Sequence, residues 1–138
     1  MTHLRQLPTL TLAAAKAIAA GAEAFAVGRG WTVAIAVVDA AGGLILFQIL
    51  DDTQPGSQEV AVHKARTAAR FKRPTKALEE AVAGGRQALL SLPGVTAVEG
   101  GVPIVVAGRV VGAVGVSGMQ SPQDSQVAEA GLAAFRPD

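Results

Sequence analysis

The chain has 138 residues, a formal net charge of +1 and no cysteine. This length predicts a single domain over residues 1–138, and the lack of cysteine excludes disulfides, thiolate metal sites and cysteine nucleophiles. Because scattered basic residues are nearly balanced by acidic ones, the charge argues against a nucleic-acid partner. No stretch approaches the ~20 uninterrupted apolar residues of a membrane-spanning helix, so we expect a cytoplasmic protein without a membrane partner.

The first predicted element is an amphipathic helix over residues 10–28, in which apolar side chains recur at helical spacing. Thr9 or Thr11 can cap its start. The segment superficially resembles a signal peptide, but Lys16 interrupts the apolar run and Glu23 follows within the same helical pattern. These charges indicate a helix of the mature protein instead.

A hairpin is predicted next, over residues 31–52. The strands TVAIAVVD and LILFQILDD flank the turn AAGG. Both faces of the first strand are apolar, so the sheet needs cover on both sides. Helices can supply one layer, and further helices or another subunit can supply the second.

Two helices and a short strand follow the hairpin. The pattern predicts a helix from Ser57 to about Arg70 and a shorter one through Ala83, with Ser57 and Thr75 as caps. The apolar residues 89–92, followed by Pro-Gly, are interpreted as a short strand and a turn.

The stretch 100–118 predicts a second hairpin with a tight turn at Ala107-Gly108. Glycines inside its second strand indicate a bulge or a close approach to the backbone. A final helix is expected over residues 121–135, with Ser121 as its cap. Because the strands are joined as hairpins, the sheet is expected to be antiparallel and the fold class α+β.

Three blocks of the chain resemble the GlcG/HbpS-like family, which in turn is similar to the C-terminal domain of some corrinoid adenosyltransferases. They are VAIAVVDAAGGL (33–44), PGSQEVAVHKARTAARFKRPT (55–75) and GGVPIVVAGRVVGAVGVSG (100–118), the last followed by Gln123-Asp124. The resemblance implies a three-layer α/β/α sandwich of the profilin-like kind with an antiparallel sheet. It also implies a homo-oligomer, a tetramer or an octamer, and heme as a ligand of some members.

Heme iron most often takes a histidine as its axial ligand. The chain has only His3 and His63, and the predicted first helix has no histidine. His3 lies near the terminus, so His63 on the predicted helix 57–70 is the candidate metal ligand. The alternative for His63 is a partly exposed helix residue that binds nothing.

The other candidate residues are polar groups in the matching blocks and their neighbours. Lys64 either extends along the helix surface or places its ammonium at a pocket mouth, where it would bind a carboxylate or a phosphate. Asp39 is most simply a turn former and Asp124 a helix-capping group, unless either faces a cavity. The ligand-binding candidates are Lys64, Thr67, Phe71, Pro103, Ser117, Gly118 and Asp124.

Two functional classes follow. The first is a small oligomeric binding protein for heme or another planar or anionic small molecule. The second is a cofactor-independent enzyme of the lyase, isomerase or hydratase type that acts on a small carboxylated catabolite. There Lys64 would hold the anion, backbone N–H groups at Ser117 and Gly118 would stabilise developing charge, and His63 or Asp39 would move a proton.

Overall fold

An antiparallel sheet forms the middle of the structure, a computed structural model that describes residues 2–137. Its four strands in this part of the chain are β1 (Ala34–Asp39), β2 (Leu44–Ile49), β3 (Gly101–Val106) and β4 (Arg109–Ser117). They lie in the order β2-β1-β4-β3. The two hairpins are therefore joined through β1 and β4, whose register runs from Ala34 opposite Ser117 to Asp39 opposite Gly112.

Helices cover both faces of this sheet. They are α1 (Leu12–Gly28), α2 (Ser57–Arg70), α3 (Thr75–Ala83) and α4 (Ser121–Ala133). One face packs Ile35, Val114 and Val116 against α1 and α4. The opposite face packs small side chains, including Ala36 and Ala113, against α2. The alternation of residues along a strand thus fills two cores, and the expected α+β, three-layer α/β/α sandwich is confirmed.

Most predicted elements are found, but several details of the sequence interpretation are wrong. Thr11 is the N-cap of α1, as expected, and accepts from the N–H of Ala14 at 3.1 Å. Residues 89–92 do not form a strand, because the chain makes a 3-10 helix over Gln87–Ser91. The N-caps of the other helices precede the expected ones by one residue and are Gly56, Pro74 and Gln120.

The displaced caps have physical reasons, and at two of the three helices the expected cap hydroxyl serves another contact. The Ser57 hydroxyl accepts from Ser117 Oγ at 3.1 Å. The Thr75 hydroxyl accepts from the N–H of Gly101 at 2.8 Å. At α4, Gln120 forms a reciprocal capping box with Gln123, so Ser121 is not needed as a cap.

Candidate functional site

Lys64 lies inside the protein, where α2 crosses β4. Its side chain is only 2% exposed. The ammonium donates to the carbonyl of Val116 at 3.0 Å and to Asp124 Oδ2 at 3.2 Å. The sequence analysis expected Lys64 either at a pocket mouth or extended along the helix surface. Both expectations are wrong, because its side chain is buried. Lys64 forms a buried ion pair that joins α2 to α4.

Asp124 is the other half of this pair, and it also organises the turn between β4 and α4. Its Oδ1 accepts from the N–H of Met119 at 3.0 Å. Burial raises the pKa of the Asp124 carboxyl, while the Lys64 charge and the N–H groups of Met119 and Gly118 oppose that rise. Because the Gly118 and Met119 N–H groups face this carboxylate, the structure assigns them to Asp124 rather than to an open oxyanion site.

Glycines allow the close contact between α2 and the sheet. A side chain at Gly115 would collide with the carbonyl of Ala61 and with Ala65, and one at Gly101 would collide with the carbonyl of Lys64. The close approach predicted from the strand glycines is thus confirmed, and a helix of the same chain makes it. Gly118 has φ +146 and faces the backbone of Thr32, where a side chain would also collide.

The hydroxyl and turn residues are held by local contacts. Thr67 Oγ1 donates to the carbonyl of His63 at 2.8 Å and accepts from the N–H of Thr96 at 3.0 Å, which fastens the segment 94–96 to α2. Asp39 Oδ1 accepts from the N–H groups of Ala41 and Gly43 at 2.9 and 2.8 Å, as its turn-forming interpretation predicts.

The candidate residues are therefore distributed over several places. Phe71 follows the last residue of α2, and Pro103 pairs with Ala113 within the sheet. Lys64, Ser117, Gly118 and Asp124 lie on the inner side of α2, but Asp39 is the last residue of β1 and His63 lies on the outer surface of α2. The structure does not bring the three catalytic candidates, His63, Lys64 and Asp39, together.

His63 stands at the junction of two clefts on the outer side of α2. One cleft has a volume of about 250 Å³ and is lined by His63, Arg66, Arg70 and the segment 94–96. The other has a volume of about 490 Å³ and includes His63 and Arg66 again, with Leu44, Phe47, Gln58, Glu59 and Val62. His63 is exposed, and its imidazole makes no hydrogen bond with any residue that the structure describes.

Two arginines lie beside His63 because of helical spacing. Arg66 and Arg70 follow His63 by three and seven residues, which places all three side chains on one face of α2. Arg66 Nε donates to the carbonyl of Gly42 at 3.2 Å, and Arg70 Nε donates to the carbonyl of Ala41 at 3.0 Å. A guanidinium has five N–H donors, so these bonds fix the arginines and leave further donors for an anion.

The sequence analysis did not include Arg66 and Arg70 among the candidate residues and did not connect them with His63. The spacing of three and seven residues was the signal that could have found this cluster. Over residues 2–137, no group of three or more His, Asp or Glu side chains is placed to hold a metal ion. His63 is thus a single donor, which suits an axial ligand better than a site built from protein ligands alone.

Comparisons with known proteins agree with this fold. The family model described as "Haem degrading protein HbpS-like" matches residues 10–133. Protein GlcG of Escherichia coli is 46% identical over 103 residues, which are 75% of this chain and 77% of GlcG. Among the described residues, no helix combines the length and the apolar character needed to cross a membrane.

Two solved structures extend the comparison. A double mutant of Streptomyces reticuli HbpS superposes with a TM-score of 0.91 and 34% identity, over 97% of this chain and 92% of that one. A PduOC:heme complex superposes with a TM-score of 0.84 and 26% identity, over 93% of this chain and 96% of that one. On its sequence and its fold, the chain belongs to the HbpS-like family.

Proposed function

We propose that this protein binds heme, or another planar anionic small molecule, at the clefts around His63. The observation that carries the proposal is the exposed imidazole of His63 with the guanidinium groups of Arg66 and Arg70 on the same face of α2. The HbpS-like family, which is described as heme degrading, and the heme complex of a structural neighbour support the choice of ligand.

The donor set at His63 fits the chemistry of heme. When bound, heme supplies an iron that accepts an imidazole nitrogen as axial ligand. His63 has this nitrogen at the surface, and no hydrogen bond within residues 2–137 occupies it. His63 would hold the iron, and its place between the two clefts leaves room on either side for the flat ring.

The charges and the apolar surface near His63 fit the rest of such a ligand. Arg66 and Arg70 would bind the carboxylates, since a guanidinium pairs with a carboxylate through two parallel hydrogen bonds. Phe47 and Val62 line the larger cleft and present apolar surface for a planar ring.

We also propose that the protein forms a homo-oligomer, a tetramer or an octamer. Exposed apolar side chains on the outer strands support this proposal: Leu44 and Ile49 on β2 are 46% and 40% exposed, and Val105 on β3 is 57% exposed. In the order β2-β1-β4-β3 these strands are the edges of the sheet, where backbone groups are available for another chain. Light scattering on the purified protein measures the native mass, and a monomer would contradict the proposal.

A hemin titration tests the binding site. We expect a Soret band that saturates at a fixed ratio of hemin to protomer. His63→Ala should weaken binding by about tenfold or more, which is about 1.4 kcal/mol. His3→Ala is the matched control, because it removes the other histidine of the chain but leaves the clefts intact. Non-saturating absorbance, or equal affinities of the two variants, would contradict the proposal.

The contribution of the two arginines to hemin affinity can be separated from that of the bond between His63 and the iron. A double variant, Arg66→Ala with Arg70→Ala, should weaken hemin binding while leaving the affinity for the iron porphyrin dimethyl ester, which lacks the carboxylates, nearly unchanged. An equal loss for both compounds would show that the arginines shape the cleft and do not bind the anionic groups.

The enzymatic alternative has less support. It requires Lys64 to hold an anion while His63 or Asp39 moves a proton, but Lys64 is paired with Asp124 inside the protein and the other two lie elsewhere. Turnover of small carboxylates that is abolished by His63→Ala would favour it over simple binding.

A further inference from the structure

A separate cleft of about 630 Å³ lies between the end of α1, the start of α3 and the outer side of α4. Its walls carry both signs of charge. Arg29 and Lys76 are basic, whereas Glu99 and Glu129 are acidic, and the ring of Phe25 forms part of the lining. None of the residues assigned to the His63 clefts takes part in it.

Glu99 is the unusual member of this cleft. It is only 8% exposed, and its carboxylate forms no hydrogen bond or ion pair with any residue between 2 and 137. Within residues 2–137, the Thr53 hydroxyl is the one side-chain polar group that is both fully buried and without a hydrogen-bond partner. Because the Glu99 carboxylate has no partner there either, its oxygens are not fully buried, and they reach solvent through the cleft that Glu99 lines.

The backbone holds Glu99 in this position. Its N–H donates to Glu79 Oε1 at 3.1 Å. The next residue, Gly100, has φ +135, and its carbonyl accepts from the N–H of Val116 at 3.0 Å. Glu99 is thus fixed at the entrance to β3, and a ligand would meet a carboxylate that is already positioned.

The basic groups of the cleft are available for a ligand. The Arg29 guanidinium lies 4.5 Å from the ring centre of Phe25 and 5.6 Å from that of Trp31, and no residue between 2 and 137 accepts a hydrogen bond from its N–H groups. The Lys76 ammonium is 4.0 Å from Glu80 Oε1, and both side chains are more than half exposed. Such a surface pair is weak, so Lys76 can bind another anion.

We infer that this cleft binds a small zwitterion, a molecule whose ammonium and carboxylate are separated by a few carbon atoms. The ammonium pairs with Glu99, and the carboxylate pairs with Arg29 and Lys76. Two basic and two acidic side chains in the lining match a ligand without net charge better than a simple anion or a simple cation. This site is independent of the proposed heme site.

The test uses ¹H–¹⁵N spectra of the full chain titrated with β-alanine, 4-aminobutyrate, 5-aminovalerate and 6-aminohexanoate. We expect saturable shifts of the amides of Glu99 and Ser125 with at least one of these compounds. Glu99→Gln should raise its Kd by about tenfold or more, which is about 1.4 kcal/mol. Glu23→Gln, an isosteric change of an exposed acidic residue outside the cleft, should leave the Kd unchanged.

Four results would overturn the inference. The first is the absence of saturable shifts with all four compounds, and the second is equal binding of alkylamines or carboxylates of the same length. The third is a lower native mass for Glu99→Gln, which would show that a second copy of the chain supplies the partner of Glu99. The fourth is a less stable Glu99→Gln variant in thermal unfolding without ligand, which would mean that the carboxylate has a structural partner.

Discussion

Replacement of Lys64 by methionine should cost a large part of the stability of this protein. Methionine has a similar unbranched shape but no charge, so the change leaves Asp124 buried with only backbone N–H donors. Removal of one partner from a buried ion pair costs about 3–5 kcal/mol. Domains are stable by about 5–15 kcal/mol, so urea-induced unfolding followed by the fluorescence of Trp31 should show a clearly lower midpoint at equal protomer concentration.

The loss should depend on pH with a definite sign. Burial raises the pKa of Asp124 from its ordinary value of 3.8. When the pKa of a carboxyl is higher in the folded state than in the unfolded state, the free energy of unfolding falls as the pH rises from below 3.8 through the pKa of the folded state. The Lys64 charge lowers the pKa of Asp124, so Lys64→Met should raise this pKa further. The free energy of unfolding of the variant should then fall over a wider pH range than that of the wild type. The variant should therefore be closer to the wild type at about pH 4 than at neutral pH.

The double variant Lys64→Met with Asp124→Asn separates the charge from the packing. Asparagine removes the orphaned carboxylate, so the double variant should be more stable than Lys64→Met alone at neutral pH. If Lys64→Met unfolds within about 1 kcal/mol of the wild type, a typical surface effect, or if the double variant is no more stable than the single one, the reasoning on the ion pair is wrong.

Two further changes test the packing of α2. Gly115→Ala forces a methyl group against the Ala61 carbonyl and should cost about 1–3 kcal/mol or more in urea unfolding, whereas Gly28→Ala, with open space around it, should be neutral or stabilising. Thr67→Val leaves the Thr96 N–H without its acceptor and should cost about 1–3 kcal/mol. Faster hydrogen exchange at Thr96 is the matching local signal, and unchanged exchange would show that Thr67 does not hold the segment 94–96.

The sequence was informative about the fold because local signals and the global fold agree. Continuous apolar runs separated by turn residues predicted both hairpins, and helical spacing with cap and turn residues predicted the helices, including the bounds of α2. The wrong caps at Ser57 and Thr75 lie where hydroxyl groups serve long-range contacts. Ser57 is an example, because its hydroxyl bonds Ser117, which is 60 positions away. A local sequence pattern cannot predict a contact between residues so far apart in the chain.

The candidate site was less predictable for the same reason. The pairing of Lys64 with Asp124 also spans 60 positions, so the sequence could indicate that each residue was notable but not that each neutralises the other. Glu99 was missed because the segment 86–99 carries no periodic pattern. The group of His63, Arg66 and Arg70, by contrast, could be found from helical spacing alone.

Helix α2 explains why stability and ligand binding should be separable in this protein. Its Ala61 and Ala65 face packs on β4, and Lys64 reaches past that face to Asp124. The opposite face, with His63 and Arg66, borders the clefts. Since these positions lie on opposite sides of one helix, changes on the inner face should lower the free energy of unfolding, and changes on the outer face should alter affinity without a matching loss of stability.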